Sequence, residues 1–380
     1  MLKPNYVNTQ ALQAAMAALG LDALVANSSK NVFYYSGSPT ARVHVRNRSW
    51  PRTTGPVMPL VLVPKEGLNA LVVSHLDEPA HREDAWVVDI RTFKAFTESP
   101  ISALAKAATN RGFGRARFGY EADAMNAAEF AELKHALPSA EFVPADEKME
   151  WIRSIKTPGE LAHMKRAADL TDDAILEAFT SARVGDTEWE IHSRVIAGVM
   201  ARGGEYCRGL FQAGSSNDLS FGGTGQKRLE WGDIIHIDYA AYFDGYPANL
   251  SRVGVMGQPS PEQEQRYADL LGVEHEVMAF MKSGVAARDV FWCCREAFKK
   301  RGHTHTAAIV GHNLGLGYHD RPMVTDAETM PLETNNVVAL EPVLVWAYHI
   351  QDQVVVTPTG GVLQSDKFDT SRLFVMGGTR

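Results

Sequence analysis

The chain has little of what builds cross-linked or metal-clustered small domains. Among 380 residues there are three cysteines, Cys207, Cys293 and Cys294. An odd count without zinc-type spacing excludes a complete disulfide framework and a cysteine-built zinc site. It suits a reducing, cytoplasmic setting in which the thiols act as small apolar residues, Cys207 alone being a candidate reactive thiol. Apolar runs are strand-length, short of the ~20 residues of a membrane helix, so no membrane partner is expected. The opening MLKPNYVNTQ lacks the apolar centre of a secretory signal, again in keeping with a cytoplasmic location. No long basic run occurs, and the formal net charge is −7, which argues against nucleic acid as a partner. No low-complexity or linker segment interrupts the chain.

What is present is ordinary globular material, 45% apolar and 22% charged, in a chain long enough for two domains. Residues 1–150 read as an α/β domain. A helix from Thr9 to Leu19 stops at Gly20, and the runs DALVANS, VMPLVLVP, LNALVVS and AWVVDI read as strands. A further helix is expected over Asp123 to Leu137. Between the first two strands lies an insert rich in arginine, ARVHVRNRSWPRTT, with Arg42, Arg46, Arg48, Arg52, His44 and Trp50. It reads either as a charge-protected edge strand or as a carboxylate-binding loop.

A boundary falls near residue 151, giving a second domain over 151–380. Thr157, Pro158 and Glu160 make a capping box that opens a helix; Thr187 with Glu190 opens another, ending at Gly203-Gly204. Strand-like segments follow. Ser260, Pro261 and Gln263 start a third helix running towards Gly284, and a fourth runs from about Arg288 to Gly302. Helix, helix, strands is therefore written twice, which predicts two halves of one sheet backed by helices.

The stretch that organises this domain is GDIIHIDYAAYFDGYPANLSR, Gly232 to Arg252. Ile234, Ile235 and Ile237 mark a strand, and Asp244-Gly245 is a hairpin turn signal. Such a hairpin can bring Asp238 and Asn249 together on one cleft face.

With GHNLGLGYHDRP, ALEPVLVW and the boundary sequence IRSIKTPGE, this stretch resembles the pita-bread hydrolases, the family of methionine aminopeptidase, prolidase, aminopeptidase P and creatinase. The resemblance covers nearly the whole chain. It implies an α/β fold, with a creatinase-like N-terminal α/β domain and a pita-bread domain in which duplicated helices back a curved antiparallel sheet. The family's metal-dependent members hold two ions with two aspartates, a histidine and two glutamates. Matched by position, Asp238, His312 and Glu341 keep three of these ligands, whereas the others fall on Asn249 and Gln351. Neutral amides ligate hard cations more weakly than carboxylates and leave their charge uncompensated. No cofactor is therefore expected; the alternative is a single divalent ion on Asp238, His312 and Glu341.

Creatinase is the metal-free precedent, and FQAGSSND resembles its FQSG segment. Its proton-shuttling histidine falls on Phe221 here and a substrate-binding glutamate on Ser251, so creatine itself is a poor expectation. The resemblance offers His319 as a group that bonds the substrate carbonyl. The expected catalytic set is thus His312, His319, Glu341 and Asp238: a carboxylate as base towards water, and an imidazole as acid or carbonyl polariser. Asn249, Gln351 and Phe221 are expected to contact substrate. Creatinase-type members form homodimers in which the partner's small domain reaches the cleft, which assigns Arg46, Arg48 and Arg52 to a substrate carboxylate and Trp50 to an apolar or cationic part. The leading expectation is a cytoplasmic hydrolase that breaks a carbon–nitrogen bond in a small carboxylate-bearing compound. The alternatives are a metal-dependent Xaa-Pro dipeptidase or aminopeptidase, a lyase or decarboxylase, and a non-catalytic binding module.

Overall fold

The computed structural model describes residues 6–39, 59–218 and 222–377. The chain divides into two compact units, Met1–Arg153 and Ser154–Arg380.

The first unit is built on a six-stranded mixed sheet. Its strands lie in the order Asp89–Phe93, Ala70–Ser74, Leu60–Pro64, Ala23–Ala26, Arg117–Tyr120, Glu141–Pro144. The three inner strands of the first four are wholly buried, as the continuous apolar runs require of a sheet covered on both faces. Helix Thr9–Leu19 does stop at Gly20, which takes a left-handed conformation. One helix and one strand begin differently from the expectation. The helix expected from Asp123 starts at Ala127, because Asn126 and Glu129 form its capping box. The strand read in AWVVDI runs instead over Asp89–Phe93. The arginine-rich insert, with Arg46, Arg48, Trp50 and Arg52, lies outside the described residues.

The second unit repeats its pattern as expected. Helices Pro158–Ser181 and Glu188–Ala201 precede strands Tyr206–Ala213, Ile234–Phe243 and Tyr246–Met256. Helices Pro261–Phe280 and Ala287–Lys300 then precede strands Gly311–Asn313, Asp320–Val324, Val337–Leu340 and Asp352–Val356. Capping boxes at Thr157, Thr187 and Ser260 are all formed. The third helix stops at Phe280, short of Gly284.

The hairpin strands are long, ten and eleven residues, and nearly all of their residues are buried. Asp244 and Gly245 both have positive φ, 50° and 83°. That turn matches the right-handed strand twist and keeps the long ladder in register. The hairpin belongs to a four-stranded sheet, and a five-stranded sheet carries His312. The two sheets meet at one bridge. Ser251 N donates to Gln351 O at 3.1 Å, and Gln351 N donates back to Ser251 O at 3.2 Å.

Arg252 clamps this seam from the helix side. Its Nη1 donates to Ser251 O at 3.0 Å and to Gln351 O at 2.9 Å. Nε and Nη2 grip both oxygens of Asp172 at 2.9 and 3.0 Å, and Nη1 stands 2.9 Å from Asp352 Oδ1. All three side chains are fully buried, so the charges must be satisfied by one another.

Candidate active site

Strand pleating decides which side chains enter the cleft. Across the hairpin Asp238 faces Ser251 and Ala240 faces Asn249; across the next pair Leu210 faces Asp238 and Gln212 faces His236. Opposite residues of an antiparallel pair share a face. One face therefore presents Arg208, Leu210 and Gln212 beside His236, Asp238, Asn249 and Ser251.

The second sheet adds His312, Glu341 and Gln351. A chain of amides then ties the carboxylates together. Asn249 Nδ2 donates to Asp238 Oδ1 at 3.0 Å, and Gln351 Nε2 donates to Asn249 Oδ1 at 2.9 Å and to Glu341 Oε2 at 3.2 Å. His312 Nε2 lies 3.4 Å from the same Gln351 nitrogen. Glu341 as a carboxylate only accepts, so Gln351 turns its NH2 towards it; the same NH2 donates to Asn249 Oδ1, which leaves Asn249 Nδ2 facing Asp238. Asn249, Gln351 and His312 are buried, whereas Asp238 is half-buried and Glu341 keeps 15% of its side chain accessible.

The environments push the two carboxyls apart. Burial, reinforced by the charge of Glu341, raises Asp238 against the opposing pull of His349, Asn249 and His312. Burial also acts to raise Glu341, but a hydrogen bond from His349 and the charges of His312, His349 and His319 outweigh it and hold Glu341 low. Burial lowers His312, so its imidazole favours the neutral form.

The sequence reading found these residues and missed two histidines behind them. His236 Nε2 and His349 Nδ1 are 3.1 Å apart, both rings are buried, and His349 Nε2 stands 3.7 Å from Glu341 Oε2. The Trp346 ring meets His236 edge-on at 5.1 Å, and its Nε1 donates to Gln212 Oε1 at 2.6 Å. The missed signal was a period of two: His236-Ile237-Asp238 in one half is echoed by His349-Ile350-Gln351 in the other.

His319 is exposed beside the cleft, its ring centroid 4.2 Å from that of His312 and 4.3 Å from that of Tyr318. Asp320 turns away to accept the Gly317 amide at 3.1 Å. Ser251 takes part in the seam. Phe221, like Arg46, Arg48, Trp50 and Arg52, lies outside the described residues. The thiol of Cys207 is pushed up to about 12 by burial, which makes it a poor nucleophile and corrects its candidacy.

Residues 162–358 match Metallopeptidase family M24, and residues 9–155 match the Creatinase/Prolidase N-terminal domain. The chain belongs to family M24. It is 25% identical over 280 residues to the uncharacterized peptidase YqhT of Bacillus subtilis, covering 72% of this chain and 79% of that one. It is 26% identical over 227 residues to an Xaa-Pro dipeptidase of Pyrococcus furiosus, covering 58% of this chain and 65% of the relative. The X-Pro aminopeptidase structure from Thermotoga maritima superposes with a TM-score of 0.81 at 22% identity, covering 96% of this chain and all 100% of that one. The fold is thus that of the pita-bread enzymes, and this M24 chain is a hydrolase of the creatinase/Xaa-Pro peptidase class, acting on carbon–nitrogen bonds.

The family's name implies metal, and this M24 site fits a metal centre poorly. Amide N–H groups point at Asp238 and Glu341 where cations would need lone pairs. Among the described residues, no three His, Cys, Asp or Glu side chains are grouped to hold an ion. Nor is any helix of the described residues long and apolar enough to cross a membrane.

Proposed function

We propose that the cleft hydrolyses a carbon–nitrogen bond in a small carboxylate-bearing nitrogen compound, and that it does so without metal. The observation that carries this is the Asn249–Gln351 amide chain, which joins the two carboxylates by hydrogen bonds. Glu341, held ionised, takes a proton from water as its oxygen bonds to the carbonyl or amidine carbon. Asp238, biased towards its protonated form, gives a proton to the departing nitrogen as the C–N bond breaks. His319 at the mouth, beside neutral His312, polarises the substrate carbonyl. Asn249 and Gln351 fix the carboxyl orientations. The proposal includes a cytoplasmic homodimer with the partner's small domain near the cleft, where Arg46, Arg48, Arg52 and Trp50 meet substrate and Phe221 lines it.

The test is a screen of cyclic amides, guanidino acids and N-acyl amino acids for turnover, with metal content measured on the same untagged protein by elemental mass spectrometry. Turnover unaffected by chelator, at well under one equivalent of metal, is expected. Glu341→Gln should then lower kcat by about 10²–10⁴-fold while substrate binding is kept. Retained stoichiometric zinc, manganese, iron or cobalt would overturn the metal-free route.

One observation favours a second reading. A relative carries the name Xaa-Pro dipeptidase, and metal-dependent cleavage of Xaa-Pro dipeptides in the same screen would establish that activity instead.

A further inference from the structure

Arg208 is an exposed guanidinium on the cleft face of strand Tyr206–Ala213, one pleat repeat from Leu210, the residue that faces Asp238. That repeat is about 6.6 Å. Arg208 stacks over the Tyr318 ring at 4.7 Å from its centroid. Tyr206 precedes Arg208 by one pleat repeat on the same strand, with its ring centroid 5.9 Å from that of Tyr242 on the paired strand. The Tyr318 ring lies 5.8 Å from that of His312. Tyr318 thus holds the guanidinium near His312, whose Nε2 stands 3.4 Å from the Gln351 amide nitrogen that donates to Glu341. Among the described residues Arg208 pairs with no carboxylate of the protein.

This arrangement is costly to explain as surface decoration. A cation that only shields a tyrosine ring needs no cleft, and a surface arginine of this acidic chain commonly finds an acidic partner, as Arg266 and Arg301 do. The cleft also has an electrostatic problem. A substrate anion entering beside ionised Glu341 meets like charge, at a cost that grows as water is excluded. A guanidinium stacked on an aromatic ring is pre-organised to offset it, because its planar fork matches a carboxylate bidentately.

We propose that Arg208, held on Tyr318, is the specificity residue that binds the substrate's carboxylate, a few bonds from the scissile C–N bond. This rests on the hydrolase reading above and deepens it. The site selects acids over their neutral amides, and the chain's own second unit supplies the anchor.

The test uses matched probes rather than turnover: N-acetylglycine against its amide, guanidinoacetate against its amide, and 5-oxoproline against its amide. Binding of each is measured by calorimetry or saturation-transfer NMR to wild type, Arg208→Met, Arg208→Lys and Arg288→Met, the last an exposed charge control on helix Ala287–Lys300. At least one acid is expected to bind wild type roughly tenfold tighter than its amide. That preference should vanish in Arg208→Met, recover only partly in Arg208→Lys and persist in Arg288→Met. The proposal is overturned if wild type prefers no acid, or if the preference survives in Arg208→Met, which would hand the role to Arg46, Arg48 or Arg52. Preference lost in Arg208→Met while no scaffold is turned over would leave the anchor standing and remove the hydrolase reading.

Discussion

At the scale of single residues, the site is defined by the exchange of two carboxylates for amides. Asn249 donates to Asp238 at 3.0 Å and to the Tyr239 carbonyl, so Asn249→Asp strips the carbonyl of its donor and sets two carboxyls side by side that must share one proton. Such a variant should be destabilised at neutral pH by about 1–3 kcal/mol, since it leaves buried groups unpaired. Combined with Gln351→Glu, the loss should reverse on adding millimolar manganese, read as a rise in Tm that the wild type does not show. An equal response in wild type would mean that the amide chain opens for metal. This part of the site was legible in the sequence because motif order fixes position. Asp238, His312 and Glu341 were identifiable, and so were the amide positions. His236 and His349 were not, because the isoleucines around them label a strand without revealing which face carries chemistry. Arg208 was hidden for a related reason: a single arginine in a largely apolar strand carries no spacing signal.

At the scale of elements, the seam between the sheets is the vulnerable point. A single backbone bridge joins Ser251 and Gln351, and Arg252 holds both carbonyls while neutralising Asp172 and Asp352. Arg252→Met should cost about 3–5 kcal/mol in urea unfolding, because it strands buried carboxylates. Turnover should fall with it even in the folded fraction, since Gln351 is part of the bridge. Helix starts were legible here from capping boxes, whose two reciprocal bonds are written in residue identity three positions apart. Helix and strand ends were less so. The third helix stops at Phe280, before Gly284, and the strand of the first unit begins only at Asp89, because ends are settled by tertiary contacts that a local pattern does not encode.

At the scale of the whole molecule, charge buried behind the sheet should set the pH response. Burial, then the charge and hydrogen bond of Asp352, hold Glu274 well above the usual carboxylate range, against the opposing charge of Arg252. The folded state therefore binds this proton more tightly than the unfolded chain does. Its contribution to stability is complete below the unfolded glutamate value of about 4.3 and is lost as pH rises through the folded value. Glu274→Gln keeps the shape without the proton. Its unfolding free energy should gain on that of wild type as pH rises, by up to about 1.4 kcal/mol per pH unit, read from urea unfolding across the pH range. Parallel curves for the two proteins would show that Glu274 is ionised in the fold.

The duplicated plan has one more consequence. The first repeat contributes Asp238 and His236, and the second contributes Glu341, His349 and Gln351, meeting at the Ser251–Gln351 bridge. Neither repeat owns a complete acid–base circuit. The reactive centre is a property of the handshake between two copies of one plan, and a lone copy would be chemically mute.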